Sequence, residues 1–292
     1  MFEHVLAPVD FSPLSASGLR YARVLSGCSN GRITVLFADT FSPPPYFTES
    51  RVEELAAQFR QSMNEAENEL RRFTAETLGE LPPGIEFKVL EGAPAERIAA
   101  FAAESGAGLI AMGTHGRSGF NRFLLGSVAE RVIRESRVPV LTVRGASREL
   151  PPFRHILCPV NDSEAARQSL EVATELAQCL GASVTVLHVR EAAKDSIDDL
   201  CAWIPEAQRT RCEMRDLTAD GEAALEIVKL ASSLPCDLLV MGSRHRAFFD
   251  STVIGSTTAR VVRHAACPVL TVGQSDTAAL HSMLKEKSQH AL

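Results

Sequence analysis

The sequence predicts an α/β protein made of two repeated domains, each a parallel sheet with helices on both faces. Two observations carry that prediction. Short apolar runs alternate with longer segments of helical spacing along the chain, the pattern of a covered parallel sheet. The chain also repeats itself. HILCPV at His155–Val160 matches HVLAPV at His4–Val9 at an offset of 151, and SVTVLHV at Ser183–Val189 matches Arg32–Ala38 at the same offset. Gly221, Met241-Gly242, Gly255-Ser256 and CPVLTV (Cys267–Val272) match Gly92, Met112-Gly113, Gly126-Ser127 and Val138–Val143 at an offset of 129. The difference, 151 − 129 = 22 residues, falls between the second and third strands of each copy. A repeat of this length is one supersecondary unit used twice. The domains expected are 1–146 and 153–273, joined around Gly145–Pro152 and followed by a polar tail, 274–292.

Each element has a local reason. His4–Asp10 (HVLAPVD) is an apolar strand, and Phe11-Ser12-Pro13 is a turn into a helix over Ser15–Ser26 with Leu19, Ala22, Val24 and Leu25 inward. Ile33–Asp39 is a second strand; the proline-rich Phe41–Tyr46 cannot enter a sheet interior. Glu49–Leu78 is a long helix with Leu55, Phe59, Met63, Ala66, Leu70 and Phe73 on one stripe, ended by Pro82-Pro83-Gly84. Ile85–Glu91 is the third strand, and Pro94–Glu104 a helix with proline in its first turn. Gly108–Met112 is the fourth strand and Val138–Arg144 the fifth, with a helix from Ser127 between them. Ser127 and Glu130 have the spacing of a capping box. In the second copy the long helix is replaced by Lys194–Ala207 around the single Trp203.

Composition excludes several function classes. With 292 residues, 45% apolar and 23% charged, the chain has the make-up of a globular protein with room for two cores. A net charge of −6 with no Lys/Arg stripe argues against nucleic-acid binding. No apolar run nears the roughly 20 residues of a membrane helix, so no membrane partner is expected. The seven cysteines form no C-x-x-C, and Cys158, Cys179, Cys236 and Cys267 lie in apolar runs where reduced core thiols are the default. Met1-Phe2-Glu3-His4 leads straight into a strand rather than a signal peptide, and a reducing cytoplasm is the expected compartment.

The candidate site lies in Ala111–Arg144, where an apolar strand stops at Gly113, Gly116 follows, and Gly126-Ser127 opens a helix. Glycines let a ligand approach the backbone, and a helix start offers free amides to an anion. The same glycines also serve as plain turn residues, and both readings stand at this point. The spacing of glycine, eleven to twelve residues, then Gly-Ser recurs in the second copy, which favours the phosphate reading. No GxxxxGK[ST] is present, so a P-loop nucleotidase is not expected. No nucleophile, base and orienter can be assembled in the crevice, so no catalytic residue is assigned.

MGTHG, nine residues and GS, together with the opening VLAPVDFS and the closing PVLTV, closely resemble the universal stress proteins. The resemblance covers nearly the whole chain as a tandem pair. It implies doubly wound five-stranded sheets of order 3-2-1-4-5, and it implies ATP binding, with or without Mg2+, in many but not all members. Ligands in such sheets sit at the carboxyl ends of the strands where the winding reverses. By that resemblance Pro8, Val9 and Asp10 close the first strand over the adenine-ribose end, and Ala38 meets adenine through its backbone. Met112, Gly113, His115, Gly116, Arg117, Gly126, Ser127 and Val128 line the phosphates and ribose. Asp10 has a competing role as the cap of the turn into the first helix, and Arg117 as a solvated loop charge.

In the second copy Asn161 replaces the aspartate, His245 stands at the second glycine, and Thr257-Thr258-Ala259 has no capping glutamate. That site is expected to be degenerate, retained for architecture. Fifth strands are edges in this order, and proline near the start of each suits an edge. Single-domain relatives commonly dimerise through this strand, so Val138–Val143 and Cys267–Val272 are expected to pair as an intramolecular pseudo-dimer. A homodimer of whole chains is left open. The expected function is a stress-response regulator holding ATP in its first domain. The alternatives are an interaction protein that uses the fold without ligand, and slow hydrolysis or autophosphorylation at Ser127 or Thr114.

Overall fold

A computed structural model describes residues 2–41, 46–115, 125–146, 149, 153–191, 203–243, 245–248 and 251–273. The first half runs β1 (His4–Pro8), α1 (Pro13–Gly27), β2 (Arg32–Asp39), α2 (Glu49–Leu78), β3 (Ile85–Glu91), α3 (Pro94–Glu104), β4 (Leu109–Gly113), α4 (Ser127–Glu135) and β5 (Val140–Val143). The second half runs β6 (His155–Val160), α5 (Glu164–Leu180), β7 (Ser183–Arg190), α6 (Glu206–Arg209), β8 (Met214–Asp220), α7 (Ala223–Ser233) and β9 (Leu238–Ser243). A hairpin of β10 (His245–Phe248) and β11 (Ser251–Ile254) follows, then α8 (Ser256–His264) and β12 (Val269–Gly273).

Apart from the β10–β11 hairpin, the strands form one ten-stranded sheet in the order β3-β2-β1-β4-β5-β12-β9-β6-β7-β8. Within each half of this sheet all pairs are parallel; β5 and β12 pair antiparallel, with Val269 opposite Thr142, Leu270 opposite Leu141 and Thr271 opposite Val140. Each half therefore has the order 3-2-1-4-5. Central strands such as β1, β4 and β5 are buried throughout, whereas the outer β3 and β8 alternate in exposure, as edges with a wet side do. The antiparallel seam is stapled symmetrically. The Thr142 hydroxyl donates to the Val269 carbonyl at 3.2 Å, and the Thr271 hydroxyl donates to the Val140 carbonyl at 3.1 Å.

Both apolar layers run across the seam. One holds Leu19 and Leu25 with Leu170 and Leu176; the other holds Val132 and Ile133 with Val261 and Val262. The Arg263 guanidinium of α8 donates to Glu130 of α4 at 3.2 Å, and the Tyr21 ring meets Phe153 edge-on at 5.3 Å. A disulfide joins Cys28, just after α1, to Cys179 near the end of α5, 151 residues away. That separation equals the repeat offset, so the two cysteines are the same position in the two copies. This corrects the expectation for Cys179, which is exposed and oxidised. The ends of α1 and α5 meet across the seam, a proximity set by the pairing of the halves rather than by local sequence. Such bonds persist in oxidising surroundings, so this one weighs against the compartment inferred from composition.

Several boundaries shift by one or two residues. α1 begins at Pro13 because the Ser12 hydroxyl accepts from the Ser15 amide at 3.2 Å and proline needs no partner in a first turn. β5 begins at Val140, past Pro139, and β1 ends at Pro8, so Asp10 lies beyond its strand. Tyr21, beside the junction, gives a pH signature. Burial first, then the neighbouring Cys267 and Asp237, pushes its hydroxyl up to about 12 from 10.0. The folded protein keeps this proton to higher pH than the unfolded chain. Its contribution to stability is therefore complete below pH 10 and is lost between pH 10 and about 12. Denaturant melts across that window should fall more steeply for the native sequence than for Tyr21→Phe; parallel curves would refute the burial of this hydroxyl.

Candidate functional site

β1 and β4 lie side by side, and the chain winds outward in opposite directions from them. A crevice forms at the carboxyl ends of strands flanking such a reversal. Beyond Pro8, the Val9 amide donates to the Leu36 carbonyl at 2.9 Å, which holds the segment against β2. The Asp10 amide donates to the Ser15 hydroxyl at 3.3 Å, and its Oδ1 accepts from the Ser12 amide at 3.1 Å. One carboxylate oxygen is thus committed to the turn into α1. Phe11 follows with φ at 65°, a conformation that costs a non-glycine residue about 1–2 kcal/mol. Its ring packs on Phe37 and Phe73, with centroids at 5.0 and 5.5 Å, which holds the strained turn in place. In the sequence Phe11 reads only as a turn residue, because its aromatic partners are distant and leave no local signal.

Across the crevice, Gly113 ends β4. A Cβ there would lie 2.9 Å from the backbone carbon of Leu14, so glycine is needed for α1 to cross close over the strand. Gly242 has the same role, with a Cβ placed 2.6 Å from the backbone of Ala165. The recurrence of this glycine is explained by packing alone. Thr114 follows, its amide and hydroxyl both reaching the Val143 carbonyl, at 2.9 and 3.2 Å. His115 Nδ1 lies 3.0 Å from that hydroxyl, while its buried Nε2 has no hydrogen-bond partner among the described residues. Burial, then the nearby Arg144 charge, lowers the His115 pKa, so the imidazole is neutral at pH 7.

Gly126 is the N-cap of α4, and its amide donates to the Thr114 carbonyl at 2.8 Å. Ser127 is the first helical residue, and no side chain caps the helix. The expected capping box is therefore absent. Glu130 turns instead to Arg263, a partner 133 residues away that only the seam supplies. The amides of Ser127, Val128 and Ala129 have no acceptor within the helix, and they carry the positive end of its dipole. Val128 is half-buried and packs into the same layer as Ala38, Leu90 and Met112. Met112, Gly113, His115, Gly126, Ser127 and Val128 thus gather around the end of β4, with Pro8, Val9 and Asp10 at the end of the neighbouring β1. Ala38 lies near the end of β2. Gly116 and Arg117 lie outside the described residues.

The second crevice differs in more than side chains. The Asn161 Oδ1 accepts from the Ser163 hydroxyl at 2.6 Å, and the Ser163 hydroxyl caps α5. His245 begins β10, so the segment after β9 returns as a hairpin, and β11 runs beside α4 of the first half. The His245 side chain lies outside the described residues. Among the described residues, a Cβ on Gly255 would meet only the Thr258 hydroxyl, at 3.9 Å. The start of α8 is therefore not pressed against the strand end as the start of α4 is. Among the described residues no group of three His, Cys, Asp or Glu side chains could hold a metal, and no helix is long and apolar enough to cross a membrane.

Known proteins resemble both halves. The pattern of the universal stress protein family matches residues 1–144 and again 152–273. A universal stress protein of Methanocaldococcus jannaschii is 31% identical over 150 residues, covering 51% of this chain and 86% of that protein. One from Thermus aquaticus is 31% identical over 135 residues, covering 41% of this chain and 98% of that protein. The crystal structure of a universal stress protein from Archaeoglobus fulgidus matches 94% of this chain and 99% of its own, with a TM-score of 0.71 at 23% identity. The tandem arrangement is thus found whole in a solved fold, and the chain belongs to the universal stress protein family through two successive copies of its domain.

Proposed function

We propose that the chain is a stress-response regulator that binds ATP in the crevice of its first half. The observation that carries this reading is the start of α4. Its uncapped amides open beside the end of β4, and the Gly126–Thr114 bond fixes their position. An anion there meets backbone donors and the positive end of the helix dipole, beside the backbone of His115, whose buried Nε2 has no hydrogen-bond partner among the described residues. If the Thr114 hydroxyl turns to donate to Nδ1, the neutral imidazole presents Nε2–H to a phosphate oxygen. The residues present therefore fit a phosphate group.

In this reading Pro8, Val9 and Asp10 hold the ribose end, and the Ala38 backbone meets adenine. Met112, Gly113, His115, Gly126, Ser127 and Val128 surround the phosphates, with Gly116 and Arg117 completing the loop. Mg2+ would ride on the phosphates. The units are 1–146 and 153–273; the second serves architecture, and the β5–β12 pairing makes the chain an intramolecular pseudo-dimer. Among the described residues no nucleophile, base and orienter stand together, and occupancy rather than turnover is the signal we assign.

A second reading has its own support. Gly113 is required for helix packing and Asp10 for the turn, so both would be present in a protein that uses the fold only for interaction. Calorimetry with ATP separates the two. One site per chain is expected; no site supports the interaction reading, and two equivalent sites contradict the architectural role of the second half.

A further inference from the structure

We propose that Cys236 and Cys267 form a redox-active dithiol, a modification site confined to the second half, which oxidises to a disulfide on reaction with small disulfides such as glutathione disulfide. Their sulfurs lie 3.4 Å apart, about 1.4 Å longer than a disulfide bond. Cys236 stands two residues before β9 and Cys267 two before β12, at the feet of neighbouring parallel strands. The corresponding residues of the first half, at the offset of 129, are Ala107 and Val138, so the fold does not require sulfur at these places.

Access is unequal: Cys236 is half-buried and Cys267 is buried, 6% exposed. The two sulfurs lie within hydrogen-bonding reach and either can donate, so a hydrogen on one steadies a thiolate on the other; the Cys236 thiol also donates to the Leu238 carbonyl at 3.6 Å. Access sets the order: the half-buried Cys236 is the sulfur a reagent can reach, and the buried Cys267, 3.4 Å behind it, is placed to resolve the mixed disulfide.

The chemistry balances without a metal or a further reductant. The Cys236 sulfur attacks one sulfur of the small disulfide; a new S–S bond forms, the reagent's S–S bond breaks, and one thiolate leaves. The Cys267 sulfur then attacks Cys236 Sγ, the protein disulfide closes, and the second thiolate departs. The two cysteine protons leave on the two thiols released. The product ties the foot of β12, the seam strand, to the foot of β9.

The test uses the full chain with its Cys28–Cys179 bond in place. The protein is incubated with glutathione disulfide, quenched in acid, alkylated in denaturant and digested with trypsin without reductant. Arg244 and Arg263 place the two cysteines in separate peptides, so a linked pair is diagnostic. The expected result is a Cys236–Cys267 crosslink, with both alkylation labels lost together while the Cys28–Cys179 peptide is unchanged. In Cys267→Ser, Cys236 should stop at the glutathione adduct; in Cys236→Ser, Cys267 should remain alkylatable. The half-exposed Cys212 reports that the reagent acted. Free Cys236 and Cys267 after Cys212 has reacted, or a lasting glutathione adduct on Cys236 of the native sequence, overturns the proposal.

Discussion

Val140→Lys together with Val269→Lys, in a chain also carrying Cys28→Ser and Cys179→Ser, is expected to part the two halves while leaving each folded. Val140 and Val269 are each 1% exposed and belong to a core layer shared by both halves. Confining an ammonium there costs several kcal/mol per ion unless it finds a partner, and among the described side-chain hydrogen bonds between β5 and β12 the polar groups are the Thr142 and Thr271 hydroxyls. Opening the seam gives up those two hydrogen bonds, about 1 kcal/mol each, the ladder between β5 and β12, the Arg263–Glu130 pair and the apolar contacts between the halves. Once open, β5 and β12 become edges, and lysine side chains there can reach water along their own length. Relief of two buried charges is what drives the seam open in this variant.

The cysteine changes matter because the disulfide would otherwise hold the halves together after the seam has opened. Small-angle scattering should show a longer maximum dimension while circular dichroism keeps its helix and strand content. An unchanged compact radius in a folded quadruple variant would show that these strands do not hold the halves. With the disulfide restored, the same lysines should expand the chain less, and the difference measures what the crosslink contributes. For a closed loop of this length, the chain-entropy account sets that contribution at no more than about 5 kcal/mol.

Where the sequence spoke clearly, its signals were local. The limits of α2, β3 and α3 follow from Pro82-Pro83-Gly84 and Pro94, which leave the chain no other places to stop. The order of strands within each half was legible only through the family, since nothing in periodicity says which strands adjoin. What stayed hidden depends on contacts across the seam. Ser127 and Glu130 satisfy the spacing of a capping box, yet Glu130 is drawn to Arg263 and Gly126 takes the cap position. Cys28 and Cys179 looked unrelated until the repeat offset and the folded seam are put together. The glycine after each fourth strand suggested a ligand, but its tightest neighbour is the backbone of the first helix of its own half. Among the described glycines of the candidate site, Gly126 is the one whose need for a bare Cα concerns the crevice itself.

Gly126→Ala and Gly255→Ala are therefore expected to have opposite signs, although they are one substitution at equivalent positions. Both glycines cap their helices with ordinary negative φ, −64° and −55°, so alanine is conformationally acceptable at either. At Gly126 the new Cβ would sit 2.8 Å from the Thr114 carbonyl oxygen, which accepts a hydrogen bond from the Gly126 amide and so cannot swing away cheaply. Forcing a methyl into packed backbone of this kind costs about 1–3 kcal/mol. At Gly255 the Cβ would make, among the described residues, only an ordinary contact at 3.9 Å, and narrowing the freedom of the unfolded chain stabilises by about 0.4–1 kcal/mol. Urea melts should show Gly126→Ala destabilised and Gly255→Ala unchanged or more stable. Binding should divide the same way. Pushing the start of α4 off Thr114 misaims the amides of Ser127 and Val128, and a loss of about 1.4 kcal/mol there weakens ATP roughly tenfold. Gly255→Ala should leave ATP affinity where it was. If both variants lose stability equally, the close approach at Gly126 is not real. If Gly126→Ala is destabilised but binds ATP as before, the crevice at β4 is not where the nucleotide lies.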